Sequence, residues 1–303
     1  MKNIETKQII YALIITIGFL GTGMYLLEEG LIGYGISFFV FLPFLIGFVL
    51  GSATIKKASL IGLAIGLVCF TGLLLIGQLE GMICVLMAMP IIAICIALGF
   101  SVKHVFFKFK EGLNSKNSIK ASVGPLMLLV FTGIVEHKLT ENDQNLVRIE
   151  STLELPYSPM QVYDVIKSVD TLNVEKTFLM QLDLPVPHKC VLDKEEVGGI
   201  RTCYFDGGII KQEVVALEKG RLMQMKVLDY QLTGRKWLGF EDAIYTFDSL
   251  PNGHCKMTRI TSYTSELYPR FYWQPLEQIG IEQEHDYVFR NIVQDLGKKF
   301  SKQ

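Results

Sequence analysis

The pattern of hydrophobic and polar positions divides the 303-residue chain into two unlike halves. In the first 135 residues, apolar runs that contain no charged residue except Lys120 alternate with short polar connections. The runs are residues 9–27, 31–55, 58–77, 82–102 and 119–135. Four of the runs are near the ~20 residues that an α-helix needs to cross ~30 Å of hydrocarbon. This pattern predicts an α-helical membrane region of about five spans over residues 1–135.

The fifth run is the weakest candidate for a span. It has 17 residues, which is at the short end of the spanning range, and it contains Gly124 and Pro125. A re-entrant or surface helix is the alternative for this segment. Residues 103–120, which are rich in lysine, are predicted to be a loop that sets the orientation. Their mixture of lysine and phenylalanine also fits a segment lying on an anionic leaflet.

Charges between the runs indicate an orientation. Lysine residues occupy the amino terminus and the connections after the second and fourth runs. In the connections after the first and third runs, the only charged residues are glutamates. The lysines are Lys2, Lys7, Lys56, Lys57, Lys103, Lys108, Lys110, Lys116 and Lys120. Because cytoplasmic connections are enriched in Lys and Arg, the amino terminus is predicted to be cytoplasmic. An odd number of spans then predicts an extracytoplasmic carboxyl-terminal domain on the cell (inner) membrane.

Residues 136–145 are polar and predict a short linker, after which the period of the apolar positions changes. Alternation with a period of two predicts strands joined by short connections. The predicted strands are residues 146–155, 189–193, 200–206, 209–218, 222–230, 240–248 and 254–265. The pair Asn252-Gly253 is a strong hairpin signal. These residues predict one antiparallel sheet in a domain at 146–303.

Three helices accompany the predicted strands. Ser158 and Pro159 are typical of the first residues of a helix, and a second short helix is predicted at 171–180. Pro275 opens a long amphipathic helix that extends to about residue 300. Its apolar face contains Ile281, Val288, Ile292 and Leu296. This face would cover the apolar side of the sheet, where alternation places Met223 and Met225.

The order of one strand, two short helices, six strands and a long helix is that of the helix-grip fold. In this order of elements, the chain resembles the START-like (SRPBCC) superfamily, specifically its polyketide cyclase/dehydrase and lipid-transport group. The resemblance covers about residues 146–300. It rests on LPYSPMQVYDVI, on GGIRTCYFDGGIIKQEVVALEKGRLMQMKV and on LPNGHCKMTRITSY. It implies an α+β domain in which a seven-stranded antiparallel sheet curves around the terminal helix.

The resemblance also implies an apolar cavity between sheet and terminal helix, which in relatives takes lipids, sterols, polyketides or other hydrophobic molecules. The side chains that are candidates for this cavity are Tyr204, Met223, Met225, Tyr245, Ile281, His285 and Val288. His285 could be a general base if a partner lies within reach, or a structural histidine at the edge of the apolar face. The family has no shared catalytic motif to transfer, so no catalytic residue is assigned.

Two aromatic clusters beside basic residues are candidates for membrane-proximal loops. They are RKWLGF at 235–240 and YPRFYW at 268–273. The residues concerned are Trp237, Leu238, Tyr268, Phe271, Tyr272 and Trp273. Amphipathic aromatic side chains next to cations are favoured at the level of the lipid headgroups. For the second cluster, the alternative is a hinge of the terminal helix packed on the edge of the sheet.

The spacing of cysteine and histidine residues indicates whether the chain could form a disulfide or bind a metal ion. If a hairpin closes over residues 194–199, Cys190 and Cys203 stand opposite each other. They could then form a disulfide in an oxidising compartment, and free buried thiols are the alternative. No Cys/His spacing resembles a zinc site, and no phosphate-binding glycine loop is present. The sequence therefore predicts neither a metal nor a cofactor.

The amino-acid composition of the chain favours some classes of function over others. Half of the residues are hydrophobic and the formal net charge is -1, which suits a part-membrane protein and argues against a nucleic-acid partner. The sequence predicts a membrane-anchored domain that binds a hydrophobic small molecule or lipid, such as an isoprenoid-like or polyketide-like molecule. A cyclase/dehydrase-type enzyme and a non-catalytic interaction domain of a membrane complex are the alternatives. The ligand's identity and the oligomeric state are left open by the sequence.

Overall fold

The structure, a computed structural model, describes residues 2–51, 56–110, 123–140, 146–232 and 237–300. The chain divides into two compact units. The helical unit comprises the described residues of Met1–Glu80, Cys84–Asp143 and Glu266–Trp273. The sheet unit comprises the described residues of Gly81–Ile83, Gln144–Ser265 and Gln274–Gln303.

The helical unit is built from apolar helices of unequal length. The helices are α1 (Lys2–Glu28), a π-helical turn (Ser37–Phe41) continued by α2 (Leu42–Leu50), α3 (Lys56–Ile76), α4 (Met82–Lys110) and α5 (Val123–Thr140). Within the described residues, three helices are long and apolar enough to cross a membrane: Ile4–Glu28, Lys56–Ile76 and Met82–Val105. The prediction of about five spans is therefore not supported.

The second and fifth apolar runs form helices that are too short to count as membrane spans. Residues 30–35 form turns and bends that include three glycines, so the helix of the second run ends up as Ser37–Leu50, which is too short to count as a span. In the fifth run, the apolar helix extends over Met127–Glu136. Residues 111–122 lie outside the described residues, and so do 141–145 of the predicted linker.

Two boundaries differ from those predicted for this unit. The predicted loop at 103–120 is helical as far as Lys110, because α4 continues beyond the apolar run. Likewise α5 continues to Thr140, so residues 136–140 of the predicted linker are helical. A change from apolar to polar composition does not by itself end a helix.

Small residues allow the helices of this unit to approach closely. A Cβ atom added at Gly62 in α3 would overlap the carbonyl oxygen of Ile9 in α1, and one at Gly66 would lie 2.9 Å from the Cβ of Thr16. Gly62 and Gly66 follow each other along α3, and their partners Ile9 and Thr16 follow in the same order along α1. The two helices therefore run parallel. Gly47 in α2 makes a similar approach to the backbone of α4.

Charged groups lie at opposite ends of the helical unit. At one end, Lys56 Nζ is 3.3 Å from His104 Nδ1, which brings the start of α3 next to the later part of α4. At the other end, the carboxylate of Glu136 accepts hydrogen bonds from the backbone N–H groups of Ile36 and Ser37 at 2.6 and 2.8 Å. The glutamate thereby caps the helix that begins there.

The sheet unit contains one seven-stranded antiparallel sheet that curls into a half-barrel. Its strands are β1 (Val147–Leu155), β2 (Pro187–Leu192), β3 (Ile200–Phe205), β4 (Gly208–Glu218), β5 (Leu222–Leu232), β6 (Leu238–Ser249) and β7 (Cys255–Ser265). Their order in the sheet is β1-β7-β6-β5-β4-β3-β2. All seven predicted strands are confirmed, because each alternates apolar and polar residues and ends at turn residues.

The short helices follow the prediction in part. Ser158 caps α6 (Pro159–Ile166), with Gln161 N–H donating to Ser158 Oγ and Ser158 N–H donating to Gln161 Oε1, as a capping box. The helix predicted at 171–180 is wrong, since only α7 (Phe178–Gln181) forms there. The backbone N–H groups of residues 173 and 174 donate to the side chain of Asn291 instead of to a helix.

The long terminal helix is confirmed but starts earlier than predicted. It is α8 (Arg270–Phe300), and Pro275 lies inside it. Proline lacks an N–H group, which makes it common in a first turn, but here α8 begins five residues before that proline. From Tyr287 to Leu296, the buried apolar residues of α8 pack with those of the sheet and of α6 in one hydrophobic core.

Candidate functional site

One face of the sheet is turned toward α8, and we call it the inner surface. The alternation of side chains along each strand places a defined set of residues there. Its buried apolar members are Leu155, Cys203, Val214, Met223, Met225, Ala243, Phe247, Cys255 and Met257. Val288, Ile292 and Leu296 of α8 belong to the same core. The interior between sheet and helix is therefore mainly apolar.

Several polar side chains interrupt this apolar interior, and we call four of them the interior cluster: Arg201, Tyr245, Arg259 and Glu284. Arg201 and Arg259 come from β3 and β7, Tyr245 comes from β6, and Glu284 comes from α8. The guanidinium carbons of the two arginines lie 5.9 and 5.6 Å from the centroid of the Tyr245 ring. One aromatic ring is thus in cation–π range of two cations.

The two arginines differ in how their charge is compensated. Arg259 Nη2 is 2.7 Å from Glu284 Oε2. Arg201 is 5% exposed and donates to uncharged acceptors, Gln212 Oε1 and the carbonyl oxygen of Ile166, both at 3.3 Å. Because Ile166 is the last residue of α6, that carbonyl lies at the negative end of a helix, which favours a cation.

The environment shifts the pKa of both arginines. Burial lowers the pKa of Arg201 below its ordinary value, and the nearby charge of Arg259 acts in the same direction. For Arg259, burial also acts to lower the pKa, but the carboxylate of Glu284 outweighs it and raises the pKa above its ordinary value. Both side chains stay charged at neutral pH, because an arginine starts from a pKa above 12.

His285 is fully buried next to the interior cluster. Its Nε2 lies 2.7 Å from Thr261 Oγ1 and its Nδ1 lies 2.8 Å from Ser151 Oγ. Burial, together with the charge of Arg259, lowers the pKa of His285 to about 2. The imidazole is therefore neutral, and both nitrogens are occupied by hydroxyl groups. This arrangement favours the structural interpretation of His285 over the general-base interpretation.

Most of the predicted cavity residues lie where the inner surface and α8 face each other. Met223, Met225 and Tyr245 on the sheet and Val288 on the helix are all buried, and Ile281 is partly buried one turn before His285. Tyr204 is different. It is 46% exposed, because its neighbours Cys203 and Phe205 alternate with it along β3 and Cys203 is the one that lies on the inner surface.

The sequence reasoning missed Arg201, Arg259 and Glu284. A signal for the arginines was present, since Arg201 precedes the inward Cys203 by two residues and Arg259 follows the inward Met257 by two. A charged residue at an inward position of an amphipathic strand is the pattern that would have identified them. Glu284 stands next to His285 on α8, and no local pattern marks it.

The predicted membrane-proximal residues fall into two groups. Trp237 and Leu238 are buried, at 9% and 8% exposure, so they do not project as a free loop tip. Residues 233–236 beside them lie outside the described part of the chain. The segment Glu266–Trp273 belongs to the helical unit.

Contacts within the helical unit hold that segment. Tyr268 N–H donates to the carbonyl oxygen of Tyr34 at 2.9 Å, and the hydroxyl of Tyr272 donates to the carbonyl oxygen of Met87 at 2.6 Å. The Trp273 ring centroid lies 4.6 Å from that of Phe39. Phe271, by contrast, is 84% exposed. The aromatic cluster at 268–273 is therefore held by contacts within the helical unit at three positions and exposed at one.

Cys190 and Cys203 are paired directly across β2 and β3 and are joined by a disulfide. Of the two alternatives for these cysteines, the structure thus has the disulfide, while Cys255 is a buried free thiol. Within the part of the chain that the structure describes, no group of three or more His, Cys, Asp or Glu residues could hold a metal ion.

Comparison with solved structures finds likenesses to the C-terminal half of the chain. The Zhui aromatase/cyclase from Streptomyces sp. R1128 is 13% identical, with 51% of this chain and 96% of that chain covered and a TM-score of 0.37. A START superfamily protein from Mycobacterium smegmatis is 8% identical, with 50% and 97% covered and a TM-score of 0.36. Ara h 8.0201 is 8% identical, with 51% and 100% covered and a TM-score of 0.35.

These likenesses are too low in identity and TM-score to transfer a function. No family model matches the sequence, and no curated protein matches it. What can be said of function therefore depends on the inner surface and the interior cluster of this chain.

Proposed function

We propose that the sheet unit binds a hydrophobic ligand between the inner surface and α8. One observation carries the proposal: an apolar interior contains an interior cluster whose arginine N–H groups are not all paired. Nε of Arg201 and both Nε and Nη1 of Arg259 are buried without a hydrogen-bond partner among the described residues. A buried unpaired donor costs about 1–3 kcal/mol. A bound molecule that supplies acceptors in an apolar setting would remove that cost.

Binding would be driven mainly by the apolar part of the ligand. A ligand that leaves a bilayer for the interior exchanges one apolar environment for another, so the transfer itself costs little. The few polar groups of the interior would then fix its orientation, as is usual for small-molecule sites. Met223 and Met225 suit such a role, since methionine side chains adapt to apolar partners of varied shape.

Native mass spectrometry of the full chain tests this function. The chain is purified from membranes in mild detergent, and the mass of the intact protein is compared before and after lipid extraction. We expect an extra mass of a lipid-sized molecule that survives extensive detergent exchange. Ala243→Phe, which enlarges an inner-surface residue, should abolish the extra mass, whereas Val215→Phe on the exposed face should keep it. The absence of any retained molecule in the unmodified chain would contradict the proposal.

A second candidate function is an enzyme of the cyclase type on a hydrophobic substrate. The observation in its favour is that Arg201, Tyr245 and Arg259 converge in the interior, where two cations and a hydroxyl could stabilise a developing enolate or phenolate. Incubation of the full chain with the recovered ligand separates the two functions. A ligand that is returned with its mass and retention time unchanged supports binding, and a converted one supports catalysis.

We further propose that the apolar helices anchor the chain in the cytoplasmic membrane, with the amino terminus inside and the sheet unit outside. In support, the lysines near α3 and α4 lie at one end of the helical unit, while α5 ends at the other, where Glu136 caps the helix that begins near Ser37. The Cys190–Cys203 disulfide supports an oxidising compartment for the sheet unit.

Protease protection tests this orientation. Trypsin added to intact spheroplasts should remove the sheet unit, and trypsin added to inverted membrane vesicles should leave it intact. The reverse pattern would contradict the orientation without affecting the proposed ligand binding.

A further inference from the structure

The interior cluster has more positive than negative charge. It contains two guanidinium groups and one carboxylate, Glu284, which is paired with Arg259 at 2.7 Å. Arg201 is nineteen-twentieths buried, and its hydrogen bonds to Gln212 and Ile166 end on uncharged oxygens. Burying a charge without a partner of opposite charge costs several kcal/mol in general. The interior cluster therefore carries one more positive charge than negative charge.

The unpaired donors point to where that charge would be. Nε of Arg201 and the Nε and Nη1 atoms of Arg259 lack partners among the described residues. Both guanidinium groups lie within 6 Å of the centroid of one ring, that of Tyr245, although they come from strands four places apart in the sheet. Donors from two distant strands thus converge on one part of the apolar interior.

We propose that the ligand is an anionic amphiphile whose carboxylate or phosphate head group binds between Arg201 and Arg259, with its apolar chain along the inner surface. The inference rests on the proposed ligand binding and makes it more specific. Guanidinium groups donate to carboxylates and phosphates in strong charge-assisted hydrogen bonds. An anion at this place would accept from unpaired donors of both arginines and balance the charge of Arg201.

A purely structural role for Arg201 is the competing explanation. The Tyr245 ring and the carbonyl end of α6 both favour a cation, and together they could stabilise the guanidinium without any ligand. The two explanations differ in a measurable way. A structural arginine affects the binding of charged and uncharged amphiphiles equally, whereas an arginine that binds the head group affects only the charged one.

The experiment measures binding to the full chain in phosphatidylcholine nanodiscs, with empty nanodiscs as background. The probes are tritiated oleate and tritiated oleyl alcohol, which differ only in the head group. The variants are Arg201→Gln, Arg201→Lys and, as the matched control, Arg221→Gln. Arg221 is a surface arginine whose side chain is 77% exposed and pairs with Glu218.

The unmodified chain and Arg221→Gln should bind oleate at least about tenfold more tightly than oleyl alcohol, since charge-assisted hydrogen bonds are worth about 1.5–3 kcal/mol. Arg201→Gln should bring that ratio to about one while keeping the affinity for oleyl alcohol, which also shows that the variant is folded. Arg201→Lys should give an intermediate ratio. An unchanged ratio in Arg201→Gln would overturn the inference.

Two further outcomes separate this inference from the proposed function. If the unmodified chain binds both probes equally well, the head-group inference is wrong and ligand binding stands. If neither probe binds, both are contradicted. If Arg201→Gln fails to fold, Arg259→Lys takes its place, because it keeps the charge opposite Glu284 but removes the unpaired donors, and the ratio should fall at least about threefold. An unchanged ratio there would overturn the inference.

A parallel pair of probes identifies the chemistry of the head group. Farnesyl monophosphate and farnesol are compared in the same nanodiscs. A larger charged-to-neutral ratio for this pair than for the oleyl pair would assign the site to a phosphate, and a smaller one would assign it to a carboxylate. A ratio near one for both pairs would contradict an anion site of either kind.

Discussion

The helical unit and the sheet unit bury different kinds of groups. In the helical unit, the fully buried polar side chains among the described residues are hydroxyls, those of Thr16, Ser37 and Ser59. Its helices meet through glycines, as Gly62 does against Ile9. In the sheet unit, Arg201 and His285 are buried between a sheet and a helix. Among the described residues, the buried polar side chains of the first interior are uncharged hydroxyls, whereas the second interior also buries an arginine.

This difference is informative about function. An interior that serves only to pack the chain gains little from charges, since well-packed apolar residues of similar volume stabilise as well or better. Charged residues that stay buried and incompletely paired are more typical of binding or catalytic sites. The contrast therefore supports our proposals of anchoring by the helical unit and ligand binding by the sheet unit. The following changes test the contrast, from the largest expected effect to the smallest.

Removing one partner of the buried ion pair should have the largest effect. Arg259→Gln leaves the Glu284 carboxylate, 18% exposed, without its cation, and should lower the free energy of unfolding of the sheet unit by about 3–5 kcal/mol. Pulse proteolysis of the full chain in urea and detergent measures this. The double variant with Glu284→Gln should recover much of the loss. A double variant as unstable as the single one would show that charge pairing is not the cause.

A glycine substitution should break the packing of the helical unit. A Cβ atom in Gly62→Ala would overlap the carbonyl oxygen of Ile9, so α1 and α3 must separate, at a cost of about 1–3 kcal/mol. Gly72→Ala in the same helix is the control, because nothing lies within 4 Å of the added atom. Thermal loss of helical circular dichroism in detergent compares them. Equal stability of the two variants would mean that α1 and α3 do not pack as described.

The buried histidine should make the sheet unit sensitive to acid. The pKa of His285 is about 2 in the folded state and ordinary, about 6.5, in the unfolded state, so the unfolded chain binds the extra proton between these values. Stability should be full above pH 6.5 and fall by about 1.4 kcal/mol per pH unit below it.

Pulse proteolysis between pH 7 and pH 5 measures that slope. His285→Gln should flatten it, whereas His254→Gln, in the turn before β7, should keep the slope of the unmodified chain. A slope that survives His285→Gln would assign the acid sensitivity to other groups.

The smallest effect should come from a helix cap outside both interiors. Ser158→Ala removes the hydroxyl that accepts from Gln161 N–H and should cost the sheet unit about 1 kcal/mol. The same proteolysis assay detects it. Because no interior group changes, the ratio of oleate to oleyl alcohol binding should stay as in the unmodified chain, and a changed ratio would show that α6 takes part in recognition.

The strands could be predicted from the sequence because their signals are local. Each strand alternates apolar and polar residues, and the turns are marked, as at Gly207 and Gly253, whose φ angles of 79° and 77° are those that glycine adopts easily. The cap at Ser158 is equally local. The helix predicted at 171–180 failed because the partner of its backbone is Asn291, 118 residues after Asn173 along the chain.

The helical unit and the site were harder to predict for different reasons. Apolar composition identified the runs but not where each helix begins, so the turns at 30–35 were counted as part of a span. The interior cluster combines arginines from β3 and β7, which are four places apart in the sheet. Which side chains meet across the interior depends on the tertiary structure and has no local sequence signal. The inward positions of Arg201 and Arg259 were readable from strand alternation. Their convergence on Tyr245 was not.

Photo-crosslinking would test the central claim most directly. The full chain in nanodiscs is irradiated with a palmitate that carries a diazirine near the end of its chain, and the labelled residues are identified by peptide mass spectrometry. We expect labels on the inner surface and the facing side of α8, at Met223, Met225 or Val288, that are competed by unlabelled oleate. Labels confined to the exposed apolar side chains of α1, α3 and α4, unchanged by oleate, would contradict ligand binding by the sheet unit.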